Sequence, residues 1–490
     1  MARAERSGAP ARPVRARRDH HPRGMSATPS RNMAMLLPLS LPSITVAFLL
    51  VGVGSAQDEP ALVRKGSCFE VHCHGGDESL ADRALAAVEP VWAAVASTLG
   101  RSEARPRRLL TVHLYRTIGG YEAADRRLTN GKFARNLAMT HYASESAHVA
   151  LQPPCSDETL RAFGLPGLTV EMLAWEATHL VRRELLGTHA EHPMWLIDGL
   201  AADTARTVAR QQLAPEAEAW PTADTAVGRV QRLELGRRLP PASAILADRI
   251  DELDMQDRYA ARAVFFAYLR TEHAGALGKV LAAVRSTGGG KGYLERVSAV
   301  ATTSFGKKLD PGFAQHAAAL HQAWFEVYRS LVPCEGGWQQ IAFPDTNAIA
   351  WHQRPVDGGA LRIAGGLRIL PGDGKQMNVL FGRTDAGDFY SVAFVADVGF
   401  TVFSFRAKDN EWRALGGGAA PSLRRGYTSD FVIEARGDTL RVQIDGLHWD
   451  FELPQKLPNA VPWGLGAQAG GEGAAMGTAG LWTGVRASVP

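Results

Sequence analysis

The residues best suited to chemistry lie together between Trp175 and His179, where the chain reads Trp-Glu-Ala-Thr-His. A histidine at position 175 would complete the H-E-x-x-H pattern of a zinc hydrolase. On a helix, ligands four residues apart face the same way and hold the metal, while the glutamate between them takes a proton from the metal-bound water. Glu176 therefore stands at the general-base position and His179 at the second ligand position. Trp175 cannot replace the first histidine, because its indole nitrogen is only a hydrogen-bond donor.

The third ligand of such a site comes from a second helix, and Asp198 stands where it is needed. It follows His179 after 18 intervening residues, within the run Trp-Leu-Ile-Asp-Gly-Leu-Ala. Aspartate is one methylene shorter than glutamate, so its carboxylate reaches about 1.5 Å less far. With the first position lost and the third shortened, tight zinc binding is not expected. We therefore expect no cofactor, and zinc only if another side chain replaces the lost ligand.

Three histidines are candidates for that replacement: His141 on a predicted strand, and His189 and His192 on the loop between the two helices. Each also has a simpler interpretation as an ordinary polar residue of a strand or loop. Trp175 itself either fills the former metal position as part of the core or forms the floor of a binding pocket. Without a metal, Glu176 is expected to pair with His179 on the same face or with a nearby arginine.

The stretch 171–203 resembles the gluzincin metallopeptidases, and most of all their peptidase-MA-like branch, whose pattern is H-E-x-x-H followed at the same separation by W-L-x-E-G-L-A. The resemblance covers roughly residues 60–331. It implies zinc peptidase chemistry in a cleft between an edge strand and the motif helix. The departures fall on the ligands, at Trp175 and Asp198, so the resemblance indicates an inactive homologue with a degenerate metal site.

The scaffold around these residues is predicted to be an α+β zincin-like domain with a mixed sheet and a mostly helical second half. Alternating and helical periodicities indicate strand, helix and strand, then two strands before the motif helix, 168–186, which ends at Gly187. Pro193 opens the next helix. Helical patterns continue to 331, including a predicted helix from Phe313 to Leu331.

After Pro333 the period changes to short alternating strands with glycine-rich turns, which predicts an all-β antiparallel sandwich. The run 431–446 resembles concanavalin-like or laminin-G-like domains, over about residues 338–488. Because Glu434 is isolated on its strand, we expect binding of a ligand such as carbohydrate and not glycoside hydrolysis. Four aromatic residues either stack on sugar rings or belong to the core: Trp351, Tyr390, Trp412 and Trp449.

The N-terminal residues 1–56 are predicted to be a basic extension and a secretory signal. They hold eight arginines and two acidic residues, so removing them changes the formal charge from +4 to −2 and leaves no nucleic-acid footprint. The chain is therefore expected to be exported, and to touch a membrane only if this segment is not cleaved. Of the four cysteines, Cys68 and Cys73 are too far apart on an extended strand to bridge, and the remaining pairing is open.

The predicted organisation is thus 1–56 as leader, 57–332 as the zincin-like domain, 333–337 as linker and 338–490 as the sandwich. The leading hypothesis is an exported, non-catalytic zincin-like protein with a ligand- or carbohydrate-binding sandwich; peptide or carbohydrate is the expected partner. One alternative is an active zinc metallopeptidase with a replacement ligand. Another is a carbohydrate-binding surface protein in which the first domain is a spacer.

Overall fold

The structure is a computed structural model, and the predicted leader, 1–56, lies outside the residues that it describes. The described residues are 61–134, 136–152, 154–155, 157, 160–161, 164–187, 192–213, 225–286, 292–306, 308–320, 324–326, 331–334, 337–342, 347–352, 354–370, 376–468 and 479–490. A helical part with a small mixed sheet comes first, and two antiparallel sheets follow. This confirms the predicted fold class of an α+β part followed by an all-β sandwich. No helix within the described ranges is both long and apolar enough to cross a membrane.

The first sheet has five strands in the order β1-β2-β3-β5-β4. The three central strands run parallel, and the edge strands β1 and β4 run antiparallel to their neighbours. Since side chains alternate along a strand, one face of the sheet is apolar and carries Phe69, Val71 and Val112, all buried. The strands are β1 (Leu62–Lys65), β2 (Phe69–His74), β3 (Leu110–Tyr115), β4 (Ala138–His141) and β5 (Ser146–Ala150).

Helices cover this apolar face and build the rest of the first part. The first helix continues through Pro90, where an interruption was allowed for, and Asp77 caps it by accepting a hydrogen bond from the Leu80 amide at 2.8 Å. Cys68 and Cys73 are free and buried, and the expectation that they do not bridge to each other is met. The helices are α1 (Glu78–Thr98), α2 (Ile118–Thr129), α3 (Gly167–Leu186), α4 (Met194–Leu213), α5 (Thr225–Leu235), α6 (Ala242–Leu246), α7 (Met255–Glu272), α8 (Ala274–Ser286), α9 (Tyr293–Phe305) and α10 (Leu309–Ala319).

The close contact between α4 and α7 determines what faces the candidate site. A Cβ atom at Gly199 of α4 would meet the Cβ of Phe266 at 2.5 Å, so only glycine permits this approach. Trp195, on the same helix, is fully buried with its ring centroid 6.2 Å from that of Phe265. Tyr259 and Arg262, which precede this contact on α7, lie against Trp175 of α3 and Asp198 of α4.

The second part is a sandwich of two seven-stranded antiparallel sheets. One has the order β18-β17-β16-β11-β21-β8-β7 and the other β15-β14-β13-β12-β20-β9-β6. Alternate residues of both sheets meet in one core, which includes Ile363, Val392, Phe431 and Trp482. The strands are β6 (Trp324–Glu326), β7 (Leu331–Cys334), β8 (Gly337–Ile341), β9 (Asn347–His352), β10 (Val356–Asp357), β11 (Ala360–Ile369), β12 (Gln376–Phe381), β13 (Phe389–Val395), β14 (Gly399–Arg406), β15 (Glu411–Ala419), β16 (Thr428–Arg436), β17 (Thr439–Ile444), β18 (Leu447–Glu452), β19 (Ala460–Val461), β20 (Trp463–Gln468) and β21 (Ala479–Ser488).

The predicted helix from Phe313 to Leu331 is wrong in its second half. The helix α10 ends at Ala319, and Trp324–Glu326 instead pairs with β9 at the edge of a sandwich sheet. Aromatic residues suit both an apolar helix face and a strand, and long-range pairing decides between them. Of the predicted linker 333–337, residues 333 and 334 belong to β7 and residue 337 to β8, and Cys334 pairs with Gly337. The domain limits themselves stay predictions.

Candidate functional site

Glu176, which stands at the general-base position on α3, contacts the edge strand β4. Glu176 is buried, and its Oε2 accepts a hydrogen bond from the hydroxyl of Thr140 at 2.6 Å. Thr140 therefore takes the place of the expected partner, His179 or an arginine, because the edge strand passes directly along this helix. Burial raises the pKa of Glu176 to about 7, although the Thr140 hydroxyl opposes the shift. Near neutral pH the carboxyl group can therefore hold or release a proton.

Trp175 and His179 are one turn apart on α3, so their side chains are neighbours on one face of the helix. The two ring centroids are 6.1 Å apart in an edge-on arrangement, and Tyr259 of α7 lies edge-on to Trp175 at 5.9 Å. Trp175 is half-buried and packs against the hydrophobic core. His179 is buried, its Nδ1 has no hydrogen-bond partner, and burial together with the charge of Arg182 lowers its pKa to about 3. This packing favours the interpretation in which Trp175 is part of the core.

Asp198, at the third ligand position, forms an ion pair with Arg262 of α7. Arg262 of α7 places its Nη1 at 2.7 Å from Oδ2 of Asp198, and its Nη2 at 2.6 Å from Oδ1 of Asp248. The side chains of Arg262 and Asp198 are 8% and 6% exposed. Burial raises the pKa of Asp198 to about 6, although Arg262 opposes the shift. The carboxylate that would face a metal ion is neutralised by a guanidinium.

Two of the three replacement histidines make a hydrogen bond through Nδ1, and the third lies outside the described residues. His141 has its Nδ1 at 2.6 Å from the Ser144 hydroxyl, and His192 has its Nδ1 at 2.7 Å from the Tyr293 hydroxyl. His189 lies outside the described residues. Within the described ranges, no three His, Cys, Asp or Glu side chains are grouped so that they could hold a metal ion. With a donor-only indole at the first position and a cation at the third, the side chains present do not fit zinc.

The other face of the first sheet carries a histidine cluster that the sequence analysis missed. In register, His72, His113 and His148 form one row across β2, β3 and β5. The rings of His113 and His148 stack at 4.5 Å, and the hydroxyl of Tyr115 lies 2.9 Å from Nδ1 of His148. Burial, with smaller contributions from neighbouring histidines, lowers the pKa of both His113 and His148 to about 3. The available signal was the alternation of His72, at the end of the strand predicted from Cys68 to His72, with His74 two residues later.

A polar cleft opens on the inner side of one sandwich sheet, near the ends of β13, β14 and β15. Its volume is about 200 Å³. Tyr390, Ser404 and Arg413 form one cross-strand row in it. The hydroxyl of Tyr390 donates a hydrogen bond to the carbonyl oxygen of Gln455 at 3.0 Å, which joins the strands to the loop across the cleft. The other charged lining residues are Asp388, Arg406, Glu411 and Lys456.

Of the four aromatic candidates, Tyr390 lines this cleft and the other three pack against aromatic neighbours. Trp351 and Trp412 lie at 5.6 and 5.5 Å from the ring of Phe389. Trp449, in the opposite sheet, lies 4.9 Å from Phe400. The structure therefore does not gather the four residues into one stacking surface.

Two residues of α7 that shape the first site, Tyr259 and Arg262, were not identified from the sequence. Arg262 stands alone in a strongly apolar stretch, 259–269, in which the neighbouring Phe265 and Phe266 are fully buried. An isolated charge on an apolar helix requires a buried partner of opposite charge. The sequence could therefore have predicted that Arg262 forms a buried ion pair. Nothing in the sequence identified Asp198 as that partner.

No protein-family model matches the chain, and no curated protein matches its sequence. Solved structures resemble the C-terminal sandwich. The carbohydrate-binding module CBM66 from Bacillus subtilis is 15% identical, with 34% of this chain and 94% of that chain covered and a TM-score of 0.28. The exoplasmic/lumenal domain of VIP36 is 15% identical, with 35% and 92% covered and a TM-score of 0.26. Sheep galectin-11 is 11% identical, with 32% and 99% covered and a TM-score of 0.22.

Proposed function

We propose that this chain is an exported, zincin-like protein that does not cleave peptides and that binds carbohydrate through its sandwich. The observation that carries the first half of the proposal is the buried ion pair between Asp198 and Arg262 at 2.7 Å. A zinc ligand must offer a lone pair toward the metal, and a guanidinium at the same carboxylate opposes a second cation. In addition, Trp175 places an indole ring, which cannot bind zinc, at the first metal-ligand position.

The resemblance to gluzincins is supported by the placement of the motif. The helix α3 lies beside an antiparallel edge strand, β4, and Thr140 of that strand contacts Glu176. The second helix, α4, carries Asp198 within the resembling Trp-Leu-x-acid-Gly-Leu-Ala run. The resemblance implies an edge strand beside the motif helix, so this arrangement supports the proposal. We therefore propose that the chain keeps the arrangement of α3, α4 and β4 of a metallopeptidase but has lost the metal site.

Metal analysis tests the loss of the metal. The purified full chain is incubated with zinc chloride, dialysed and analysed for bound metal; we expect none held tightly, and one zinc per chain would contradict the proposal. A restoration series sharpens the test. Trp175→His with Asp198→Glu should still bind no zinc, because Arg262 remains at the third position. Adding Arg262→Met should permit binding, and peptide cleavage is then assayed.

The second half of the proposal rests on the residues of the sandwich cleft. Sugar recognition uses hydrogen-bond donors and acceptors beside an aromatic surface, and the cleft places Ser404, Arg413 and Glu411 beside Tyr390. On a glycan array, we expect the full chain to bind a defined glycan class and the variant Arg413→Ala to lose that binding. Arg486→Ala, an exposed arginine of the other sheet, is the matched control. Equal loss in both variants would contradict a specific cleft.

Export is proposed from the sequence of residues 1–56 alone. It predicts that the protein recovered outside the cytoplasm begins near residue 57, which mass spectrometry of its N-terminal peptide measures. Recovery of the intact N-terminus in a membrane fraction would instead support an uncleaved anchor. The spacer alternative predicts glycan binding that is unaffected by any substitution in 57–332. The active-peptidase alternative requires three metal ligands close together, and no three His, Cys, Asp or Glu side chains are so grouped within the described residues.

A further inference from the structure

The polar cleft of the sandwich is lined by more positive than negative side chains. Its cations are Arg406, Arg413 and Lys456, and its carboxylates are Asp388 and Glu411. The surplus is a single cation, so the charge that a ligand meets depends on which of these five groups already have partners within the protein.

Both carboxylates and one of the arginines already have partners. Oδ1 of Asp388 accepts a hydrogen bond from the Ala407 amide at 2.8 Å. Nη1 of Arg406 lies 3.4 Å from Oδ2 of Asp409 and 3.9 Å from Oε2 of Glu411. These three lining groups therefore interact with the backbone or with one another.

Arg413 and Lys456 are the two charged groups that remain. Both are exposed, and neither forms an ion pair with a residue that the structure describes. Arg413 ends the cross-strand row that begins at Tyr390 and passes through Ser404. Lys456 follows Gln455, whose carbonyl oxygen accepts from the Tyr390 hydroxyl at 3.0 Å and whose amide donates to it at 3.1 Å. Tyr390 thus connects the two segments that carry the cations.

Tyr390 itself leaves little for a ligand to contact. Its hydroxyl is both donor and acceptor to Gln455, and its ring stacks on that of Phe381 at a centroid distance of 5.5 Å. The residue is only 7% exposed. The two cations therefore supply the strongest contacts that the cleft offers.

We propose that the cleft selects acidic sugars, with Arg413 and Lys456 binding the oxyanion, which is a carboxylate or a sulfate ester. The inference rests on the proposed carbohydrate binding and specifies the class of sugar. The planar fork of a guanidinium matches two oxygens of such a group, and an ammonium adds a second positive charge. Glu411 lies two residues before Arg413 on the same face of β15, so it disfavours the anion.

Calorimetric titration of the full chain tests the proposal with two matched pairs of probes. One pair is trigalacturonate and its methyl ester, and the other is sulfated lactose and lactose. We expect saturable binding of at least one acidic sugar, about fivefold or more tighter than its neutral counterpart, and weaker as sodium chloride is added. The acidic sugar that binds distinguishes carboxylate from sulfate ester.

The outcomes separate this inference from the proposed function. Equal affinity for the acidic and neutral members of both pairs, or binding on the glycan array confined to neutral glycans, overturns the inference and leaves carbohydrate binding standing. Absence of binding to all four probes and to every glycan on the array contradicts both.

Substitutions of exposed residues, which are expected to leave the fold intact, test the two cations. Arg413→Gln and Lys456→Gln should each weaken binding of the acidic sugar about fivefold, whereas Glu411→Gln should strengthen it, because a repelling carboxylate is removed. Arg486→Gln on β21 of the other sheet changes the net charge equally and should have no effect. Equal loss in Arg413→Gln and Arg486→Gln, or weaker binding in Glu411→Gln, overturns the proposal.

Discussion

Substitution of Arg262 by methionine isolates the interaction that closes the third ligand position. The methionine keeps much of the volume but leaves the carboxylate of Asp198, whose side chain is 6% exposed, without the Nη1 that lies 2.7 Å away. Removing one partner of a buried pair costs about 3–5 kcal/mol, because the remaining charge is uncompensated. We therefore expect the free energy of unfolding of Arg262→Met to fall by about 3–5 kcal/mol at neutral pH.

The unfolding free energy lost in Arg262→Met should depend on pH, and the titration of Asp198 decides whether the loss grows or shrinks as the pH rises. Its pKa in the folded chain is already raised from 3.8 to about 6 with Arg262 in place, and removing the guanidinium raises it further. A raised folded-state pKa contributes stability at low pH that is lost as the pH rises through that value. The penalty of Arg262→Met should therefore be smaller at pH 5 than at pH 8.

Urea denaturation at both pH values measures this, with Arg258→Met as the control. Arg258 lies one turn earlier on α7 and pairs with exposed Asp251 at 3.4 Å, so its loss should cost less than about 1 kcal/mol. The double variant Asp198→Asn with Arg262→Met should recover much of the lost stability. The reasoning is refuted if Arg262→Met is no worse than Arg258→Met, or if asparagine at 198 recovers nothing.

Three other substitutions test the packing and the protonation of the first domain. Trp175→Ala should cost about 2–3 kcal/mol in urea denaturation if the ring is core, whereas a loss below about 1 kcal/mol would favour a pocket floor. Gly199→Ala should destabilise by about 1–3 kcal/mol, because the new Cβ lies 2.5 Å from the Cβ of Phe266, while Gly278→Ala, with nothing within 4 Å, should be neutral or stabilising; equal effects would contradict the close helix contact. Because the pKa of His148 is lowered from 6.5 to about 3, its contribution to stability is present above pH 6.5 and lost as the pH falls toward 3. His148→Gln should therefore reduce the slope of unfolding free energy against pH by up to about 1.4 kcal/mol per pH unit near pH 5, and an unchanged slope would show that the ring is not buried in its neutral form.

The sequence determined the local elements and the frame of the candidate site. The helix α3 was predicted within one residue of its observed start, because apolar spacing and the stop at Gly187 are local signals. The separation of Glu176, His179 and Asp198 likewise predicted two adjacent helices that bring these residues to one region. Alternation after Pro333 predicted the sandwich without reference to any partner strand.

Only the tertiary structure decided which groups meet. Thr140 is 36 residues from Glu176, and Arg262 is 64 residues from Asp198, so no local period connects either pair. The strand Trp324–Glu326 was mistaken for helix for the same reason, since pairing with β9 overrides a short apolar pattern. A sequence period states which face of an element is buried, whereas the neighbour that satisfies a buried charge is chosen by packing between distant elements. For that reason the sequence alone could describe a weakened zinc site, and the fold was required to show a guanidinium at its third position.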